Sequence, residues 1–271
     1  MVESNFRLNQ TPNLGNLTVS AVIPSFNAGE YITEAINSVL AQTYRLLEII
    51  VVDDGSQDNT KEVLKPFIEA QKIRYFYQEN QGPGVARNLG LSKTLGDLVA
   101  FCDADDVWLP EKLERQVVLF NNPQTALVYA DMEIMGGSQT GAKYSEINKI
   151  KSFFRGNAFS ELVKQNFIQT STVVVRRRVL EDCGGFSRDN KFFSVEDYVL
   201  WLMVAKNHRL DYLQEVLARH RIHDANISLQ DKKQAYQRLA DVYAYLIYKY
   251  GPLPIVLWKY FEYKVKILLW S

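Results

Sequence analysis

The feature that most limits the folds open to this chain is an alternation, from residue 18 to residue 135, of short apolar runs with segments of helical period. The apolar runs are "TVSAVIPSF" (18–26), "LEIIVVDD" (47–54), "IRYFYQEN" (73–80), "GDLVAFCDADD" (96–106) and "TALVYADMEIM" (125–135). Between them lie "GEYITEAINSVLAQTY", with Ile32, Ile36 and Val39/Leu40 about one turn apart, then "NTKEVLKPFIEA", "GVARNLGLSK" and "PEKLERQVVLF". The last of these opens with Pro110 at a first helical position. Strands alternating with helices predict an α/β fold whose mostly parallel sheet is covered by helices on both faces. A chain of 271 residues, 47% hydrophobic, can bury one such core.

Ligands of open α/β sheets gather beyond the carboxyl ends of the strands. Asp53 and Asp54 end the second strand, and Asp103, Asp105 and Asp106 end the fourth, so two acidic clusters are expected to face one crevice. Either cluster alone would pass for a turn former or a helix cap. Other motifs fail on their own terms. In "DADDVWLPEKLE" Val107 fills a calcium-ligand position and Trp108 stands where that loop needs glycine. "GPGVAR" has Arg87 in place of the third glycine of a dinucleotide fingerprint, and no GxxxxGK[ST] phosphate loop occurs. With 31 Lys and Arg against 31 Asp and Glu, nothing global draws the chain to nucleic acid. Two cysteines, Cys102 and Cys183, make no disulfide framework and suit a reducing compartment. The first residues lack a signal-peptide core and no apolar run is long enough to span a bilayer, so a cytoplasmic protein is expected, with peripheral contact at the inner membrane face left open by the C-terminal stretch.

Five blocks in order, "VIPSFNAGEYITEAINSVLAQTY", "IIVVDDGSQDNT", "NQGPGVARNLGL", "FCDADDVWLPEKL" and "VEDYVLWLMVA", make the chain resemble the family 2 glycosyltransferases of the GT-A fold over residues 18 to 230. The resemblance implies a Rossmann-like GT-A domain over 18–230, between an N-terminal tail (1–17) and an aromatic, basic helical extension (231–271). It also implies inverting transfer of a hexose from a nucleoside diphosphate-sugar, with UDP as the leading donor, to a hydroxyl of a polysaccharide or glycolipid. Asp54, with Asp53 beside it, matches the position that binds the base; a carboxylate there accepts from the imide N–H of uracil or thymine or from guanine N1–H. Phe26 matches a residue that stacks on the base, Pro24 shapes the same rim, and Arg87 matches a basic position near base and phosphates. "DADD" resembles the DxD motif, which places Asp103 on the ribose and Asp105 on a divalent metal, Mn2+ or Mg2+, while Asp106 is a candidate cap for the following turn. In "RHRIHDANIS", His223 matches a residue that approaches the metal or pyrophosphate. The ED pair makes Asp197 the base that deprotonates the acceptor and Glu196 its partner or an acceptor-orienting group.

Acceptor choice is expected from "MGGSQTGAKYSEINKIKSFFRGN" (135–157), read as a mobile loop, with Gln169, Thr170 and Ser171 as possible lining. Gly251 and two prolines split the C-terminal stretch, whose second half sets Leu257, Phe261, Val265 and Leu268 against Lys259, Glu262 and Lys266. Two readings stand there: an interfacial helix on anionic lipid, or a hairpin packed on the domain or on a second copy. A catalytically silent nucleotide-sugar binder and a sugar nucleotidyltransferase are the alternative functions.

Overall fold

All five expected strands form in the computed structural model, which describes residues 17–150, 153–223 and 232–269. The tail through residue 16, the 230/231 boundary and the "DANIS" end of the His223 segment lie outside the described residues. The chain runs β1 (Val19–Ser25), α1 (Ile32–Leu40), β2 (Glu48–Asp54), α2 (Thr60–Glu69), β3 (Arg74–Gln78), α3 (Pro83–Lys93) and β4 (Leu98–Phe101). There follow β5 (Val107–Trp108), α4 (Lys112–Val117), β6 (Thr125–Met135), α5 (Tyr144–Ile147), α6 (Phe159–Lys164), β7 (Val174–Arg176) and α7 (Arg177–Asp182). The last elements are α8 (Glu196–Asn207), β8 (Arg209–Arg221), α9 (Lys232–Tyr250) and α10 (Pro254–Leu269).

Eight strands of the described residues make one sheet in the order β3-β2-β1-β4-β7-β6-β8-β5. The β3-β2-β1-β4 half is parallel, β7 runs antiparallel to both β4 and β6, β8 is parallel to β6, and β5 caps β8 antiparallel. The chain leaves β1 toward β2 on one side and returns as β4 on the other, so a crevice opens between their carboxyl ends. Pro24 suits that point. β1 pairs with β4 only as far as Val22↔Phe101, while pairing with β2 continues to Ser25↔Asp53, so its missing N–H costs no ladder bond on the β4 side.

One core layer packs α1, α2 and α4 on the sheet through residues such as Ile32, Ile36, Leu64 and Leu113. The other packs α6, α8 and the C-terminal hairpin, with Trp201, Leu202, Tyr243 and Val256 among its members, so the extension shares the core of the domain. Every side chain of α8 from Tyr198 to Ala205 is buried, which accounts for its almost wholly apolar sequence. Helix α3 lies unusually close to β1: a Cβ on Gly90 would stand 2.4 Å from a Val22 methyl.

Two expectations need correction. Helix α4 starts at Lys112, two residues after Pro110. Residues 136–148 of the 135–157 segment are not a free loop, because Ile134 N–H donates to Ala142 O (2.9 Å), α5 follows, and Ser145 Oγ donates to Asp131 (2.5 Å). The apolar stripe of α10 points away from the protein. On the side toward α9, Lys259, Glu262 and Lys266 form a salt-bridged cluster, with Lys266 near the Tyr236 ring of α9 and both lysines near Tyr263.

Candidate active site

Adjacent residues of a strand point to opposite faces of a sheet. Asp53 therefore turns toward the α2 side, where Ser56 N–H (2.9 Å) and the Tyr75 hydroxyl (2.8 Å) each donate to one of its oxygens. Asp54 turns toward α3 and accepts from Gln78 Nε2 (2.6 Å), Gln81 N–H (2.9 Å) and Gly82 N–H (2.8 Å). Both are buried. Asp53 thus anchors the 55–60 turn. Asp54 holds the loop that opens α3, and burial raises its pKa against the pull of those donors. Phe26 stands at the same rim, 48% exposed, as a stacking residue must. The rim is stiff: Asn27 N–H donates to Ser56 Oγ (2.9 Å), Gln57 N–H to Asn27 Oδ1 (2.8 Å) and Gly29 N–H to Asp58 (3.0 Å).

Arg87 departs most from expectation. The close seating of α3 carries its guanidinium over the strand ends, away from the base rim and into the interior, where Nη2 donates to Asp103 (2.7 Å) and Nη1 to Glu196 (2.8 Å). Burial opposes its charge, but Asp103, Glu196 and Asp197 together outweigh that and raise its pKa. Arg87 is therefore a bridge between the two acidic clusters and not an open phosphate ligand. Nε of Arg87 and Oε2 of Glu196 are buried without a partner beside this bridge.

Asp197 sits at the first turn of α8, where Tyr198 N–H (2.6 Å) and Thr170 Oγ1–H (2.8 Å) donate to its two oxygens. Burial raises its pKa, and Arg87 is the largest influence in the other direction. A carboxylate so placed keeps a lone pair on each oxygen for an incoming proton. From the segment expected to be a loop, Tyr144 reaches this side of the site; its phenol is pushed up to about 12 by burial and then by Asp197, while a bond to Gln169 works the other way.

The "DADD" loop divides its labour. Asp103 faces Arg87, and its N–H donates to Ser171 Oγ (3.1 Å). Asp106 does not cap the following turn: it is buried and accepts from Ser171 Oγ (2.5 Å) and Arg221 N–H (3.2 Å), with His220 Nδ1 at 2.9 Å. Asp105 points to His223, with 2.9 Å between Oδ2 and Nε2, and is pushed up to about 6 by burial, Asp106 and Asp103. His223 is stacked on Tyr31 (4.8 Å between centroids), while Arg221 pairs with Glu34 and covers Tyr31. Among the described residues no group of three or more His, Cys, Asp or Glu is arranged to enclose a metal. Asp105 and His223 nevertheless fit a divalent cation that draws its remaining oxygens from a diphosphate, since a carboxylate crowded by two others is short of positive charge. His220, Arg221, Ser171 and Tyr31 were not singled out as partners of the acidic loop; the only hint of the first two was their place in the "RHRIH" run.

The His220–Asp106 contact has a pH signature. Burial lowers the pKa of His220, but Asp106 outweighs it and holds the imidazole up at about 9. A folded pKa above the unfolded one means that this contribution is complete below about pH 6.5 and is lost as pH rises through about 9. Between those values the melting midpoint of His220→Gln should fall less steeply than that of the wild type; parallel curves would remove His220 from the account.

The chain is similar to known proteins. The glycosyl transferase family 2 profile matches residues 20–184. An uncharacterized glycosyltransferase of Nostoc sp. is 37% identical over 229 residues, 78% of this chain and 66% of that one. The UDP-Glc:alpha-D-GlcNAc-diphosphoundecaprenol beta-1,3-glucosyltransferase WfgD of Escherichia coli is 31% identical over 218 residues, 80% of this chain and 81% of that one. The chain spans only 35% and 38% of the length of two Rickettsia relatives. S. aureus TarS 1–349 in complex with UDP-GlcNAc superposes with a TM-score of 0.70 at 21% identity, covering 91% of this chain and 72% of that one. Mannosyltransferase PcManGT from Pyrobaculum calidifontis, in complex with GDP-Man and Mn2+, gives 0.66 at 19%, covering 93% and 70%. These two structures bear on the fold, a mixed, mostly parallel sheet flanked by helices.

Proposed function

Because the chain belongs to glycosyl transferase family 2, we propose that it transfers a hexose from a UDP-sugar to a hydroxyl of a lipid-linked saccharide or a polysaccharide, with inversion at the anomeric carbon. The observation that carries this reading is the meeting of Asp103 with Glu196 and Asp197 around Arg87, at the carboxyl edge between β1 and β4, with Asp105 beside it on His223. The donor lies across that edge with its base against Phe26 and its ribose at Asp103. The imide of the base reaches the one lone pair left on Asp54 Oδ2. Asp105 and His223 would hold Mn2+ or Mg2+, which would offset charge on the diphosphate.

Asp197 removes the proton of the acceptor hydroxyl while its oxygen attacks the anomeric carbon from the face opposite the diphosphate. The bond from that carbon to the diphosphate breaks, and the diphosphate leaves with the electron pair. One displacement inverts the centre, so no covalent enzyme intermediate is needed. Arg87 keeps Glu196 ionised and fixed beside the base. Thr170 sets the plane of the Asp197 carboxylate, a positioning role, and Tyr144 and Gln169 form the wall nearest the acceptor. UDP as the carrier is supported by WfgD, a UDP-Glc-dependent glucosyltransferase, and by TarS, which binds UDP-GlcNAc.

The test is transfer from UDP-glucose and UDP-N-acetylglucosamine to N-acetylglucosamine linked through diphosphate to undecaprenol, followed as UDP release and as extension of the lipid-linked sugar. Turnover that needs Mn2+ or Mg2+ is the expected result. Neither transfer nor donor hydrolysis with any UDP-, GDP- or TDP-sugar would overturn the reading.

A further inference from the structure

The outward face of α10 is the largest feature that the site leaves unexplained. Trp258, Phe261, Val265, Leu268 and Leu269 recur at helical spacing and are 54 to 80% exposed. Single exposed apolar residues are ordinary, but five on one face of one helix form a patch. The opposite face is closed by Val256, Lys259 and the Lys259–Glu262–Lys266 cluster. The chain could have packed the apolar stripe inward and did the reverse.

Charge selects the occupant. Residues 232–269 carry six lysines and one arginine against two acids, Asp241 and Glu262, in a chain whose totals balance at 31 each. The rest of the protein is correspondingly acidic. Glu262 is consumed by Lys259 and Lys266, so the charged residue flanking the stripe on its other side is Lys264. A second copy seated on this face would bring two such basic hairpins together, whereas an anionic bilayer complements them. Trp258 suits headgroup depth, and Lys264 can extend toward phosphate.

Position gives the surface a purpose. The end of α10 that bears Val265, Leu268 and Leu269 lies beside the start of α9, since Tyr263 and Lys266 contact the Tyr236 ring (5.9 and 5.6 Å). The start of α9 in turn touches the entrance of the site, where Arg238 donates to Ser194 Oγ (2.7 Å), two residues before Glu196. We propose that the α10 face lies on an anionic lipid bilayer and brings the Glu196–Asp197 side of the crevice to the surface from which a lipid-linked acceptor projects. No helix of the described residues is long and apolar enough to cross a membrane, so the contact is interfacial. Its use in catalysis rests on the lipid-linked acceptor proposed above; the binding itself does not.

Co-sedimentation of the full chain with vesicles of phosphatidylcholine, alone or mixed with phosphatidylglycerol, tests the idea. The wild type should pellet with the mixed vesicles and be released by salt. Phe261→Ser/Leu268→Ser should lower partition at least about tenfold, because two exposed side chains lose their burial in lipid. The same variant should keep the wild-type melting midpoint and its nucleotide-induced shift, which separates a failure of docking from a failure of the transferase reading. Three outcomes would overturn the proposal: no pelleting with mixed vesicles, equal pelleting with neutral ones, or a dimer in sedimentation velocity that those substitutions dissociate.

Discussion

Asp197→Asn is expected to lower transfer by about 10²–10⁴-fold, the usual contribution of a general base, while leaving UDP affinity unchanged. The side chain keeps its shape. The amide oxygen can still accept from Tyr198 N–H, and its NH2 can donate to Thr170 Oγ1, so the bonds at 2.6 and 2.8 Å have substitutes. What is lost is the basic oxygen facing the acceptor. Since burial already opposes the charge of Asp197, neutralising it should not reduce the melting midpoint. Initial rates with saturating donor, alongside UDP titration of both proteins, would decide the matter. Transfer at the wild-type rate would place the base elsewhere, and a loss of UDP affinity matching the loss of rate would make Asp197 a donor ligand.

Arg87→Ala should produce the largest loss of stability of any single substitution at the site, about 3–5 kcal/mol, the range for removing one partner of a buried ion pair. Glu196 is buried as deeply as Arg87, and without Arg87 neither of its oxygens has a partner, since Oε2 has none even now, so it must stay charged and unpaired or take up a proton, at a cost either way. Asp103 is part-exposed and can turn to water, so most of the cost comes from Glu196. For a domain of this size the melting midpoint should drop on the order of 10 °C. Arg87→Lys would recover part of this, since one ammonium cannot form the fork that spans both carboxylates. Urea denaturation of the three proteins measures the effect; a loss below about 1 kcal/mol, the level of an exposed pair, would mean that the bridge does not hold in solution.

The sheet was legible because its parallel strands are buried on both faces and read as unbroken apolar runs, β1 and β2 above all. β8 was not legible as a strand. Its register against β6 shifts between Ala130 and Asp131 and again before Met132, so the alternation of "RLDYLQEVLARHR" breaks midway and "LQEVLA" reads as helix. The acidic clusters stood out as carboxylates at strand ends, and strand alternation alone would have separated Asp53 from Asp54. The partners of Arg87 could not be read, for 109 residues separate it from Glu196 and only the folded topology brings them together. The same holds for Asp106 and His220, 114 residues apart. In α10 the sequence shows two contrasting faces but not which one packs inward, because an inward face built of salt bridges and tyrosine rings is the less common solution.

The account depends on the acidic crevice being a nucleotide-sugar site, and the melting midpoint with Mn2+ and each of UDP, GDP, TDP, CDP and ADP tests it most directly. A nucleotide at 100 times its dissociation constant stabilises by about 2.7 kcal/mol, several degrees for a chain of this length. The expected result is a metal-dependent rise with UDP, none with ADP or CDP, whose bases lack the ring N–H that Asp54 would accept, and no rise in Asp105→Ala. Equal shifts with all five nucleotides, or a UDP shift that survives in Asp105→Ala without metal, would contradict it.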